Sequence, residues 1–401
     1  MAKSTLLSAL IATSIGISAG STYASSTWDD TLNEAKGQTV YFNAWGGGEA
    51  INQYIEWAGE QTEEQFGVKV EHVKIKDAAT VVARILAEKT VGNAAEGSVD
   101  LIWVNGENFR TLKNNDLLQP SWTQNLPNYA LVDTENKPST TVDFGEPVDN
   151  LEAPWGMAQL VFMADSAVTK TTPNSMTELL AHAEANPGRV SYPKPPNFHG
   201  TTFLKQALLE LTEDPSALQK PAADASADTV TAPLWAFLDQ LHPHMWRDGE
   251  NFPADGQQMR QLLDDGELDI ALSFNPSEAS RAISDGQLAD TVRTYIHETG
   301  TIGNTHFVAI PFNAKASAGA KVFANFLMSA QAQVQKANPD VWGDPTVLAI
   351  DKLSASDQQA FDELPLGVAT LSAQELSPTL LEPDASWVEL LEAEWKKRYG
   401  Q

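Results

Sequence analysis

The sequence contains no cysteine. That excludes disulfides, thiolate metal sites, cysteine nucleophiles and a lipid-modified N-terminal cysteine. Positive charge is scarce: 26 lysines and arginines stand against 53 aspartates and glutamates, a formal net charge of -27. Phosphate backbones and anionic lipid surfaces repel such a chain, so nucleic acid and membrane surfaces are poor partners. Past the N-terminus no apolar run approaches the roughly 20 residues that a bilayer span needs. Enzyme signatures are also missing. His297-Glu298 is followed by Thr299-Gly300-Thr301, so H-E-x-x-H is absent, as are a P-loop, an EF-hand loop and G-x-G-x-x-G. His242-Pro243-His244 reads as a solvated turn rather than a metal site. Asp264, Asp265 and Asp269 around Gly266 read as a solvated helix end rather than paired acid–base carboxylates. No catalytic residue, metal ligand or cofactor motif is assigned.

What is present is a globular composition, 42% hydrophobic, with 25 glycines and 22 prolines over 401 residues. At about 150 residues per domain this length suggests two or three domains. Lys3, the apolar run from Leu6 to Ile17, and Thr22-Tyr23-Ala24 form a secretory signal peptide, expected over residues 1–24 and cleaved before Ser25. Gly16-Ile17-Ser18-Ala19-Gly20 matches a nucleophile motif but falls inside that segment. The mature product is expected to be exported, soluble and periplasmic.

Strand-like and helix-like stretches then alternate, which predicts an α/β architecture with largely parallel sheets. Thr39-Val40-Tyr41-Phe42 reads as a strand and Ile51, Tyr54, Ile55 and Ala58 as one face of a helix. Leu101-Ile102-Trp103-Val104 has the mark of a buried strand. Pro120 to Pro154 reads as a wandering connection. Further strands are expected over 157–163, 189–192, 268–274, 292–296 and 306–311. Ala217 to Ala232 reads as a surface loop, and Ser175 and Ser386 as the first residues of capping boxes. The tail is expected to be helical.

The informative places are turns from strand to helix. There, helix N-termini present free N–H groups to ligands. Trp45-Gly46-Gly47 follows the first strand, and its glycines allow close backbone approach. Asn105 and Glu107 follow Val104. Thr201 opens a later helix, and Phe274-Asn275 ends a later strand. Each alone is ordinary cap chemistry; together they describe a cleft lined from two sides.

The phrases TVYFNAWGGGEAIN from Thr39, DLIWVNGENFRTLK from Asp100, APWGMAQLVFMAD from Ala153 and PKPPNFHGTTFLKQAL from Pro193 carry a resemblance, continued by IALSFNPSEA and GNTHFVAIPFNAKASAGAKVFANFL. The sequence resembles the type II periplasmic solute-binding proteins of ABC importers, and within them the YnjB group. The resemblance implies a two-lobe fold with the ligand between the lobes. Lobe 1 is expected over 27–153 and 304–401 with the C-terminal helices, and lobe 2 over 154–303. It implies Trp45, Gly46, Gly47, Asn105, Glu107, Trp155, Thr201, Phe274, Asn275 and Asn304 as ligand-binding candidates. Trp155 equally reads as a buried wedge at the hinge. It further implies a monomer that delivers a small solute to a membrane permease with a cytoplasmic ATPase. A secreted hydrolase with a scattered active site, or a periplasmic ligand sensor, are the competing classes.

Ferric sites in relatives use paired tyrosines, and none of the seven tyrosines here is adjacent to another. A carboxylate (Glu107) beside aromatic faces (Trp45, Trp155, Phe274) suits a small organic cation, thiamine or a relative. An oxyanion held by helix N-termini remains the other chemistry.

Overall fold

The computed structural model describes Met1 and residues 27–372, 374–376 and 378–400. Apart from Met1, the expected signal segment lies outside the described residues.

Strands β1 (Thr39–Trp45), β2 (Lys69–Ile75) and β3 (Leu101–Val104) pair in parallel with β1 in the middle. Helices Glu49–Phe66 and Ala78–Thr90 make the crossovers. Along β1, Val40, Phe42 and Ala44 are buried, whereas Tyr41 and Trp45 are exposed. The region read as a connection holds a small hairpin, β4 (Val142–Asp143) and β5 (Glu146–Pro147). Its tight turn puts Phe144 at φ 46° and Gly145 at φ 82°, a left-handed backbone that only glycine adopts without strain.

β6 (Glu152–Gln159) belongs to the first sheet, and β7 (Val161–Asp165) begins a second one. The single strand expected over 157–163 is thus two strands in two sheets, divided at Leu160. In the second sheet, β7 lies between β8 (Ile270–Ser273) and β9 (Val292–Tyr295), antiparallel to both. The return strand β10 (Thr301–Ala309) pairs with β6 along its length and with β3 at its far end. At its near end it pairs with β11 (Thr379–Leu380). β6 and β10 together carry the chain out of one lobe and back.

Three local expectations are corrected. Residues 189–192 join no ladder: the Arg189 and Val190 carbonyls accept from Asp269 and Trp246 respectively. Ala217–Ala232 is not all loop. Two short turns are followed by a helix, Ala227–Leu241, which tolerates Pro233 inside it. Ser386 is no cap: it follows Ala385 at the first helical position, and its hydroxyl donates to Asp384 while accepting from the Ala222 N–H.

Two large apolar cores result. One packs helices Glu49–Phe66 and Ser317–Leu327 on the first sheet, with Phe42, Tyr54, Trp155 and Phe323 fully buried. The other packs Phe162, Tyr192, Phe203, Leu204 and Leu238 around the second sheet. Trp387, Leu391 and Trp395 of the last helix (Ser386–Tyr399) belong to this second core. The Trp395 indole N–H donates to the Tyr192 hydroxyl at 2.8 Å. The expectation that the whole of 304–401 packs with lobe 1 is therefore corrected for the last helix. Its apolar stripe matches the face of helix Phe198–Leu211.

Candidate functional site

The lobes meet where β3 ends and helix Phe198–Leu211 begins. Asn105 precedes helix Gly106–Asn114, whose first turn carries Glu107. The Gly106 N–H donates to Asp143 Oδ2 at 2.7 Å. This anchors the β4–β5 hairpin on that helix terminus, where an acceptor is favoured. Below Asp143 lies Glu152, at the foot of β6. Asp143 Oδ1 and both Glu152 carboxylate oxygens are buried and have no hydrogen-bond partner among the described residues.

From the second lobe, Lys205 enters this acidic space. Its ammonium lies 2.5 Å from Glu382 Oε2, with both side chains buried. It also lies 4.5 Å from the centre of the Phe144 ring and 5.9 Å from that of Phe198, within cation–π range. Glu382 Oε1 accepts from Asn304 Nδ2 at 3.0 Å. On the same helix as Lys205, the Thr201 hydroxyl donates to Glu392 Oε1 at 2.6 Å.

Electrostatics follow from this crowding. Burial pushes Asp143 well above the ordinary carboxyl range, against the pull of the Gly106 N–H, with Glu107 and Glu382 adding to the rise. Burial raises Glu152 likewise, and Asp143 beside it adds to the effect. Glu107 and Glu392 are raised more mildly, again by burial first, with Lys205 pulling the other way in both. One buried ammonium thus faces four carboxyl groups, those of Asp143, Glu107, Glu382 and Glu392. Such a surplus is costly without a positive partner.

The sequence candidates divide into groups. Glu107, Thr201 and Asn304 converge on the Lys205–Glu382 pair, directly or through one partner. Phe274 stands edge-on to Phe198 at 5.1 Å, one ring removed from Lys205. Trp45 is 41% exposed and its indole covers Gly47 and Gly48. The Gly47 carbonyl accepts from Gln257 Nε2 of the second lobe at 3.0 Å, so the glycine turn forms a direct bond between the lobes. Gly46 is turned inward, its N–H on Ile75 and its carbonyl on Asn52. Asn275 donates to the Trp342 carbonyl, a second bond from the second lobe to the first. Trp155 lies apart from these. It is fully buried in the first core, edge-on to Trp103 at 4.9 Å and beside Tyr54 and Trp342.

Asp143, Phe144, Lys205, Glu382 and Glu392 were not singled out from the sequence. One signal was available: Lys205 stands in a run, Gly200 to Leu208, that is buried throughout. A lysine inside an apolar helix stretch demands a carboxylate. His242 and His244 show no metal arrangement. His242 bonds the Tyr192 hydroxyl at 2.7 Å, and burial lowers its pKa to about 4. Asp269 pairs with His182 and Arg189, which gives it a structural task.

The sequence model of the bacterial extracellular solute-binding proteins matches residues 57–358. The chain belongs to this family. It is 48% identical over 375 residues to Protein YnjB of Escherichia coli strain K12, covering 94% of each. Among solved structures it is similar to a putative extracellular solute-binding protein from Bordetella parapertussis, with a TM-score of 0.64, 16% identity and coverage of 90% and 98%. It is also similar to the periplasmic binding protein AfuA of Actinobacillus pleuropneumoniae with fructose-6-phosphate bound. There the TM-score is 0.60 at 15% identity, over 90% of this chain and 99% of that one. These likenesses show the two-lobe periplasmic-binding-protein fold. On that fold, Glu107, Asp143 and Glu382 lie around Lys205.

Proposed function

We propose that this protein is the periplasmic substrate-binding component of an ABC importer. Signal-directed export over residues 1–24 places it in the periplasm. As a monomer it captures a small organic cation, thiamine or a relative, between its lobes. It then docks on a membrane permease driven by a cytoplasmic ATPase. The observation that carries the ligand class is the carboxyl surplus around Lys205, with an unpartnered oxygen on Asp143. The Phe144, Phe198 and Phe274 rings beside it supply faces that attract a cation. An oxyanion finds the opposite field there, since the site's buried ammonium is already paired with Glu382.

A thermal-shift screen of the exported protein tests this. The panel holds thiamine and its phosphates, linear diamines, inorganic oxyanions, sugars and ferric ion. A ligand at 100 times its dissociation constant stabilises by about 2.7 kcal/mol, roughly 3 °C in midpoint for a chain of this size. A shift with cations alone supports the reading. A shift with oxyanions or sugars alone rejects the ligand class and leaves the importer role standing.

A further inference from the structure

Beside the Lys205–Glu382 pair lies a cavity of about 20 Å³, lined among others by Asp143, Phe144, Asn304, Thr305 and Glu382. That is room for one water-sized group. The Asn304 amide is oriented by its neighbours: Nδ2 donates to Glu382 Oε1, and the reverse orientation would set a carbonyl oxygen against a carboxylate. Oδ1 is thereby left over, and it is buried without a partner among the described residues. Asp143 Oδ1 is in the same condition. Asn304 is 3% exposed and Asp143 1%. Thr305 and Ser139, also on the lining, bond each other through their hydroxyls at 3.0 Å. Two residues that line this cavity thus each carry a buried oxygen without a partner, which a donor with several hydrogens would satisfy.

Resting on the cation reading above, we infer that this cavity is the subsite for an N–H-bearing head group of the solute. A primary ammonium, or the amino group of a protonated heterocycle, fits in size and supplies the donors that Asp143 Oδ1 and Asn304 Oδ1 lack. A quaternary ammonium fails on both counts: it has no N–H and is several times larger. The remaining cationic part then lies outward, toward Phe144, Phe198 and Glu107. Asp143 and Asn304 are in this account specificity-determining residues that choose N–H donors over methylated cations.

The test is calorimetric titration of the exported protein with two matched pairs of probes. One pair is thiamine and its 4-oxo analogue, in which an acceptor replaces the amino group. The other is 1,4-diaminobutane and its fully N-methylated form. The N–H-bearing member of the pair that binds should be favoured by about 10- to 100-fold, the worth of one or two charge-assisted hydrogen bonds. Asn304→Ala and Asp143→Asn should erase most of that preference, and a thermal melt of each variant shows that it folds. Equal affinity within both pairs, or a preference that survives both substitutions, overturns the subsite and leaves the cation reading intact. Failure of all four cations to bind overturns the cation reading and the subsite with it.

Discussion

Lys205 and Glu382, 177 residues apart in sequence, meet at 2.5 Å with both side chains buried. The lysine comes from a second-lobe helix and the glutamate from the C-terminal segment beyond β11. Both are buried, so neither has water to replace the other as a partner.

Removing one partner leaves the other stranded. Lys205→Met should destabilise by about 3–5 kcal/mol, the usual cost of a broken buried pair. Replacing both, Lys205→Met with Glu382→Leu, should cost much less than the two single changes added together. Urea unfolding of the three variants measures the coupling. Additive losses would show that the pair contributes nothing as a pair.

Stability should depend on pH through Asp143 and Glu152. Their ordinary values are 3.8 and 4.5, and burial raises both well above these in the folded protein. Between the ordinary and the raised values the native state binds more protons than the unfolded one. The contribution is therefore complete below about pH 4 and declines as pH rises toward the raised values. Glu152→Gln should remove its share. Denaturation of wild type and variant at pH 5 and pH 7 should show the variant gaining on wild type at the higher pH. A difference that stays constant with pH would contradict this assignment.

A cationic ligand should reverse that burden. Its charge favours the ionised form of Asp143, so binding should release protons and tighten as pH rises toward neutrality. Titrations in two buffers of different ionisation enthalpy count those protons. Proton uptake on binding would be the wrong sign for a cation site.

The Gln257 side chain and the Gly47 carbonyl join the two lobes directly. Gln257→Ala should weaken solute binding by roughly 2- to 10-fold, the worth of one neutral hydrogen bond. The change should lie mainly in faster dissociation. Stopped-flow release experiments would show it, and an unchanged release rate would show that this bond does not retain the solute.

The two tryptophans single out different links between sequence and function. Trp155→Ala should cost about 3–5 kcal/mol of stability by opening a cavity among Phe42, Tyr54 and Trp103. Trp45→Ala, at an exposed turn, should leave stability within about 0.5 kcal/mol and be felt in solute affinity. A melt and a titration on each variant separate these effects.

Much of this was legible along the chain because its causes are local. The apolar run Leu101–Val104 and the period of Ile51, Tyr54, Ile55 and Ala58 name their elements directly. The Trp45-Gly46-Gly47 and Asn105–Glu107 turns follow from strands entering helices. The rest depends on contacts between distant segments. Trp387, Leu391 and Trp395 mark a helix, but nothing in their spacing says which core receives it. Asp143 and Glu382 are ordinary acids in sequence, and only the hairpin and the C-terminal crossing bring them to Lys205. The strand expected at 189–192 failed because its carbonyls are taken singly by Asp269 and Trp246, with no continuous ladder to join.

The most direct measurement is a pair of calorimetric titrations at pH 7, thiamine against inorganic phosphate, into the same exported protein. A site with four carboxyl groups around one paired lysine should bind the cation and show no heat with the anion. Saturable binding of phosphate with thiamine silent would contradict the account at its centre.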